Sequence, residues 1–245
     1  TLQTVARKEE NGYRLNGVKT WVINGDVADW VCVSARMEGQ EGVSLFLVDA
    51  RAEGFGPKRS LATLGWRAAG LAEIELRDVF VPAEHRLGEE NEGGAMLEQL
   101  ARREQLMLAL FCVGLADGIL EATVTYSKQR KQFHRTLNQF QVLQHKMVDM
   151  AVEKEKVRHL TYRAVYLLQQ GKDAATEIAM AKAYAGEVIK QVADAGVQIH
   201  GGMGYMMETP IQRYWRDARA MSIAGGTTQA LKEKLAEKLQ LTGNG

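Results

Sequence analysis

Two glycine-bearing segments near the C-terminus carry the residue types that suit an anion: Gln198-Ile199-His200-Gly201-Gly202-Met203-Gly204-Tyr205 and Ile223-Ala224-Gly225-Gly226-Thr227-Thr228-Gln229. Each follows or interrupts a helical pattern, where glycine costs about 1 kcal/mol relative to alanine. Such clusters therefore signal a positive φ or a close approach to the main chain. A phosphate is the usual guest, because bare N–H groups at a helix start attract negative charge. The same glycines also suit two helix–helix turns with glycine C-caps. Other chemistries find less support. His85, His145, His159 and His200 lack metal-ligand spacing. Asp149 and Glu153 lack the Glu-x-x-His partners of a di-iron bundle. No serine sits in a nucleophile-elbow context. Arg213, Arg216 and Asp217 read as an ion-pair cluster bracing the last glycine turn.

The elements that must position these residues change character once along the chain. Up to about residue 80 the runs Gln3–Arg7, Tyr13–Leu15, Val18–Ile23, Trp30–Arg36, Val43–Val48 and Ala72–Leu76 are short and β-rich. They are punctuated by Asn11-Gly12, Asn16-Gly17, Asn24-Gly25 and Gly39, which read as turns. From Ala95 onward the apolar spacing is helical: a long first helix, a second from about Gln139 to Gln170 with Gly171 as C-cap, and a third from Asp173 to about Gln198. Short helices follow Pro210 and Thr227. The predicted fold is α+β: a partial antiparallel β-domain over residues 1–88, then an antiparallel, four-helix-type bundle over 89–245.

Composition narrows the function classes. The 245 residues carry a formal net charge of +1, with 46% hydrophobic and 25% charged residues, so no field points to nucleic acid or a membrane surface. Cys32 and Cys112 lie in apolar runs and read as buried, reduced thiols. No apolar run is expected to reach the ~18 residues of a membrane span. The first residue is Thr1 rather than methionine, which leaves targeting open: cytoplasmic in a bacterium, mitochondrial matrix in a eukaryote.

In order and spacing these pieces resemble the acyl-CoA dehydrogenase family, over the whole chain. Tyr13-Arg-Leu-Asn-Gly-Val-Lys-Thr-Trp21-Val-Ile-Asn-Gly25 is similar to a strand pair of the family's middle domain. Leu64-Gly65-Trp66-Arg67, Glu75-Leu-Arg-Asp-Val-Phe-Val-Pro82 and Leu87-Gly88 resemble its exit into the helical domain. Tyr126-Ser-Lys-Gln-Arg130-Lys-Gln-Phe133 and the two glycine segments resemble its FAD signatures. The family's N-terminal helical domain and its first flavin loop have no counterpart in this sequence.

That resemblance implies FAD as cofactor and an acyl-CoA thioester as substrate, with a base removing the α-proton while the β-hydride passes to flavin N5. Trp21, with Val22 and Ile23, would pack against the isoalloxazine. Arg130, Gln132, Phe133 and Gln141 would contact the FAD of a neighbouring subunit, as would Gln198, Gly201 and Gly202. Gly226, Thr227 and Gln229 would hold a second part of the cofactor. A homodimer or homotetramer follows, with an electron-transfer flavoprotein as electron acceptor.

Most members carry the base in a Glu-Gly-Thr triplet, which here is Gly225-Gly226-Thr227. In isovaleryl-, long-chain- and crotonobetainyl-type members the glutamate sits on the first bundle helix, a position that falls on Glu104. Beside Leu106, Leu108 and Leu110 it is expected to meet an apolar wall and a raised pKa. At least one of Arg102, Arg103 and Glu104 should point inward, and Arg102, Arg103 and Gln105 are the candidate substrate contacts. Ile23 stands in place of a threonine, Gln105 of an arginine and His134 of a glycine, while Ala69 and Leu71 stand where serine and threonine are common. These departures keep a second reading alongside: a non-catalytic subunit that supplies part of an FAD site to a heteromeric dehydrogenase-like complex.

Overall fold

The computed structural model describes residues 2–241. The chain divides into two compact units, one ending at Leu100 and one starting at Ala101.

In the first unit, β1 (Val5–Glu9), β2 (Gly12–Val22), β3 (Trp30–Met37), β4 (Ser44–Asp49), β5 (Phe55–Ser60), β6 (Ala72–Pro82) and β7 (Arg86–Leu87) form one sheet in the order β5-β6-β2-β1-β3-β4-β7. Among the named strands of the described residues, only β1 and β3 pair in parallel. Strand alternation turns Ala6, Tyr13, Leu15, Val33, Ala35, Phe46, Val48, Leu76, Val79 and Val81 into one buried cluster. Each large member contributes about 1.5–3 kcal/mol by leaving water. The same alternation leaves Cys32 exposed, contrary to its sequence reading, because Val33 takes the inward position beside it.

Two further expectations are corrected. Asn16-Gly17 is not a turn: it is a bulge within β2, where the register with β6 shifts between Leu15 and Gly17. Asn16 Oδ1 accepts the Asp78 N–H at 2.8 Å, holding Asp78 at a positive φ of 54° on the facing strand. A side chain at residue 17 would stand 2.8 Å from Thr4 Cα, which is why glycine follows the asparagine. Strand β5 lacks alternation and was not foreseen. Its Pro57 is tolerated because β5 is an edge strand, with a register shift between Pro57 and Arg59.

The helices follow the sequence closely: α1 (Gly93–Gln129), α2 (Gln141–Gln169), α3 (Ala175–His200), α4 (Gly202–Tyr205), α5 (Pro210–Ala220) and α6 (Thr228–Lys238), with a hairpin of β8 (Lys131–Gln132) and β9 (Arg135–Thr136) between α1 and α2. Gln105, Ala109, Cys112, Ala116, Ile119, Thr123 and Ser127 recur at helical spacing as the buried stripe of α1. Helix α2 ends in a Schellman motif: Gly171, at φ 68°, donates to the Leu168 carbonyl and Lys172 to that of Leu167. Alanine-rich α3 lets its neighbours approach closely, and Gly186 faces the backbone of Met221 and Ser222.

By length and mean apolar composition α1 is long enough to cross a bilayer, although its uncharged run is broken by Asp117. Part of its apolar surface is buried inside the chain. Its Asp117 also accepts from Arg158 at 2.8 Å and pairs with Lys154 at 3.0 Å, partners that lie on α2.

Candidate functional site

Two loop systems of the helical unit and one loop of the sheet unit collect the candidate residues. The first system lies at the ends of α1 and α3. Helix α3 stops because Gly201 adopts φ 60°, ψ −139°, a conformation reserved for glycine. A Cβ at Gly201 or Gly202 would meet nothing within 4 Å, so a guest can reach the bare backbone there. A hollow of about 650 Å³ opens over these glycines, lined also by Tyr126, Arg130, Gln132, His200 and Met203. Sequence positions 70 residues apart thus converge around one cavity. Gln198 is exposed on the preceding turn, and Gln141 is exposed at the first position of α2.

Arg130 is placed where α1 ends: its N–H donates to the Tyr126 carbonyl, and its carbonyl accepts from Leu137 at 2.9 Å across the hairpin. The hairpin turns through Phe133 (φ 51°) and His134 (φ 63°), both left-handed. Phe133 is 84% exposed. Two consecutive positive φ values define a type I′ turn, which favours Asn-Gly. A non-glycine residue there costs roughly 1–2 kcal/mol. His134→Gly is therefore expected to stabilise the protein by about 1 kcal/mol, a rise in Tm of a few degrees by thermal unfolding. An unchanged Tm would mean that the turn carries no strain.

The second system is the Gly225–Gly226 turn between α5 and α6. Gly225 (φ 65°) and Gly226 (φ 99°) are left-handed. Gln105 Nε2 donates to the Gly225 carbonyl at 3.0 Å, and Lys182 Nζ donates to the Gly226 carbonyl. Thr227 caps α6 by accepting the Ala230 N–H at 3.2 Å, and Thr228 donates to Glu187 at 3.0 Å. Gly226, Thr227 and Gln229 remain exposed around this pinned turn. Sequence reading missed Lys182, which is 2% exposed and whose pKa burial lowers. Its signal was available: Ile178, Lys182, Ala185 and Ile189 share one helical phase, which puts a lone lysine on the apolar face of α3.

Glu104 is exposed, not set in an apolar wall. Leu106 packs with Ala164, Ala174 and Ile178, and two residues correspond to about 200° of helix, so Glu104 looks elsewhere. None of Arg102, Arg103 and Glu104 is buried; the inward residue is Gln105, at 8% exposure. Arg102 lies 3.7 Å from Asp173. Yet Glu104 does meet the glycine turn: its carboxyl carbon lies 3.8 Å from where a Cβ on residue 225 would stand. A carboxylate on α1 thus sits beside a turn that has no side chain of its own.

In the sheet unit, Trp21 is the penultimate residue of β2, at a positive φ of 61° and 68% exposed, followed by half-buried Val22 and by Ile23 at 55% exposure. The Asn24 N–H donates to the Ala69 carbonyl at 2.8 Å, which ties this loop to the Trp66–Gly70 segment. Among the described residues no three His, Cys, Asp or Glu side chains converge to hold a metal. The Cys112 thiol is pushed up to about 12 by burial, which leaves it inert.

Sequence models of the acyl-CoA dehydrogenase middle domain and the acyl-CoA dehydrogenase C-terminal domain match residues 1–79 and 91–240. The chain belongs to the acyl-CoA dehydrogenase family, whose members are FAD-dependent. It is 34% identical over 231 residues to the caffeyl-CoA reductase-Etf complex subunit CarC of Acetobacterium woodii, covering 93% of this chain and 61% of CarC. The butyryl-CoA dehydrogenase of Megasphaera elsdenii superposes with a TM-score of 0.93 at 33% identity, covering 98% of this chain and 63% of that one. A structure of PigA with FAD and proline superposes with a TM-score of 0.93 at 31% identity, covering 99% and 64%. The chain spans less than two thirds of the length of these relatives.

The residues on hand fit an FAD. The open glycine backbone and the Arg130 guanidinium border one hollow of nucleotide dimensions, chemistry suited to a pyrophosphate.

Proposed function

We propose that this chain is the flavin- and thioester-binding part of an acyl-CoA dehydrogenase, with Glu104 as the base that removes the α-proton of an acyl-CoA. The observation that carries this reading is the 3.8 Å approach of the Glu104 carboxyl carbon to the side-chain-free position 225. A carboxylate must reach the α-carbon from a fixed direction, and α1 supplies one at the turn whose own residue cannot take a proton. Gln105 and Lys182 pin the turn's two carbonyls by hydrogen bonds. When bound, FAD supplies the hydride acceptor. Arg130 with the Gly201-Gly202 backbone would bind and orient its pyrophosphate, and Thr227 and Gln229 its second segment. Trp21 offers an exposed aromatic face for a planar ring.

The proposal extends to a homodimer or homotetramer that completes the FAD site and to an electron-transfer flavoprotein that takes the electrons, the latter supported by the similarity to a subunit of a caffeyl-CoA reductase-Etf complex. The inward carbonyl clamp and the carboxylate beside it favour a catalytic chain over a silent partner subunit. The test is anaerobic reduction of the FAD-loaded full-length protein by a panel of straight, branched and aryl acyl-CoAs. Bleaching of the flavin band by one class is expected. Bound FAD that no thioester bleaches would overturn the catalytic reading.

A further inference from the structure

The hollow over Gly201 and Gly202 contains a titratable side chain to which the proposed function gives no role. His200 closes α3, is 7% exposed, and lines the hollow together with Tyr126 and Arg130. Its ring is held from two sides. It stacks on Tyr126 with centroids 4.3 Å apart and planes 20° from parallel, and Tyr126 donates its hydroxyl to the His200 carbonyl at 3.2 Å. His200 Nδ1 lies 2.8 Å from the Gly196 carbonyl, which can only accept, so the Nδ1 proton is committed there. The neutral ring consequently carries its lone pair on Nε2, the nitrogen that takes the next proton.

We infer that His200 is a further binding residue for the anionic part of the cofactor: neutral in the free chain, it takes up a proton as a pyrophosphate enters the hollow. This inference rests on the proposed reading of the hollow as an FAD site. The physical balance is short. Burial disfavours the imidazolium and holds its pKa below the ordinary value of 6.5, against the Gly196 carbonyl, which favours it. Among the described residues no charged side chain contributes to that balance. Tyr126 and Arg130, both from the end of α1, are the titratable and charged groups that border the hollow with it, and neither supplies negative charge. A pyrophosphate does. Its two charges beside Gly201 and Gly202 would reverse the sign of the local field, at a helix C-terminus that already favours a cation. Pyrophosphate oxygens stay ionised between pH 6 and 8, so any proton taken up in that range belongs to the protein.

The sign fixes the test. A group protonated only in the complex makes affinity rise as pH falls, by up to about tenfold per pH unit for one linked proton. Calorimetric titration of FAD into the full-length apoprotein, at pH 7 in buffers of different ionisation enthalpy, is expected to show uptake of about half a proton or more per FAD. In His200→Phe, which keeps an aromatic ring against Tyr126, the uptake is expected to vanish and the pH dependence of Kd to flatten. Should that variant misfold, ring ¹⁵N shifts of His200 in the wild type, with and without FAD, decide the matter: a change from neutral imidazole to imidazolium on binding supports the inference, and a ring that stays neutral overturns it. FAD that binds without proton uptake, or with uptake that survives in His200→Phe, overturns this inference and leaves the FAD reading intact. No binding of FAD overturns both.

Discussion

On the proposed reading, Glu104→Gln is expected to lower the rate at which an acyl-CoA thioester bleaches the bound flavin by about 10²–10⁴-fold, the range a positioned general base supplies. The amide has nearly the carboxylate's shape and cannot accept the proton, so FAD content and thioester binding persist while the rate falls. Residue 225 cannot compensate. A Cβ there would stand 2.6 Å from Leu108 Cδ1, at a φ of 65° that favours glycine. Adding Gly225→Glu to Glu104→Gln is therefore expected to leave the protein inactive, although it restores the usual triplet. Single-turnover flavin reduction in the three proteins checks this. A near-wild-type rate in Glu104→Gln would move the base elsewhere, and a recovered rate in the double variant would show that Leu108 yields.

Gly186→Ala carries the largest expected cost in stability, about 3 kcal/mol. Its Cβ would stand 2.6 Å from the Met221 carbonyl oxygen and 3.1 Å from both the Met221 carbonyl carbon and Ser222 Cα. All three are backbone atoms, so no rotamer change relieves the clash and the segment after α5 must move. That segment leads into the Gly225–Gly226 turn, so on the proposed reading FAD affinity is expected to fall together with stability. Gly114→Ala is the control. It too lies in a long helix, but its Cβ would meet nothing within 4 Å, and alanine there is worth up to about 1 kcal/mol of added stability. Urea unfolding midpoints of the two variants are expected to move in opposite directions. A loss below about 1 kcal/mol in Gly186→Ala would mean that the α3–Met221 approach is loose.

The helices were legible because their signals are local. Periodic apolar residues, Gly171 at a C-cap and Pro210 at a helix start each announce a boundary without reference to the rest of the chain. The strands were less so. Asn16-Gly17 has the composition of a turn, and only pairing with Asp78 across 62 residues makes it a bulge. The site divides in the same way. The glycine segments and Arg130 could be marked from residue types, and the family resemblance supplied Glu104. The orientation of Glu104 could not be read, because Arg102, Arg103, Glu104 and Gln105 are all polar and the helical phase is set by what Leu106 packs against. Lys182 was missed because a lysine among alanines reads as a solvated residue. Its burial depends on a carbonyl 44 positions away.

The two anchored carbonyls of the Gly225–Gly226 turn have a consequence for recognition. Paired left-handed glycines ordinarily leave a loop free to flip its peptide planes, and a ligand that selects one orientation must then supply the ordering entropy on arrival. Here Gln105 and Lys182 fix both planes during folding. A guest at this turn would meet a rigid template, and discrimination there would be one of shape rather than of adaptation.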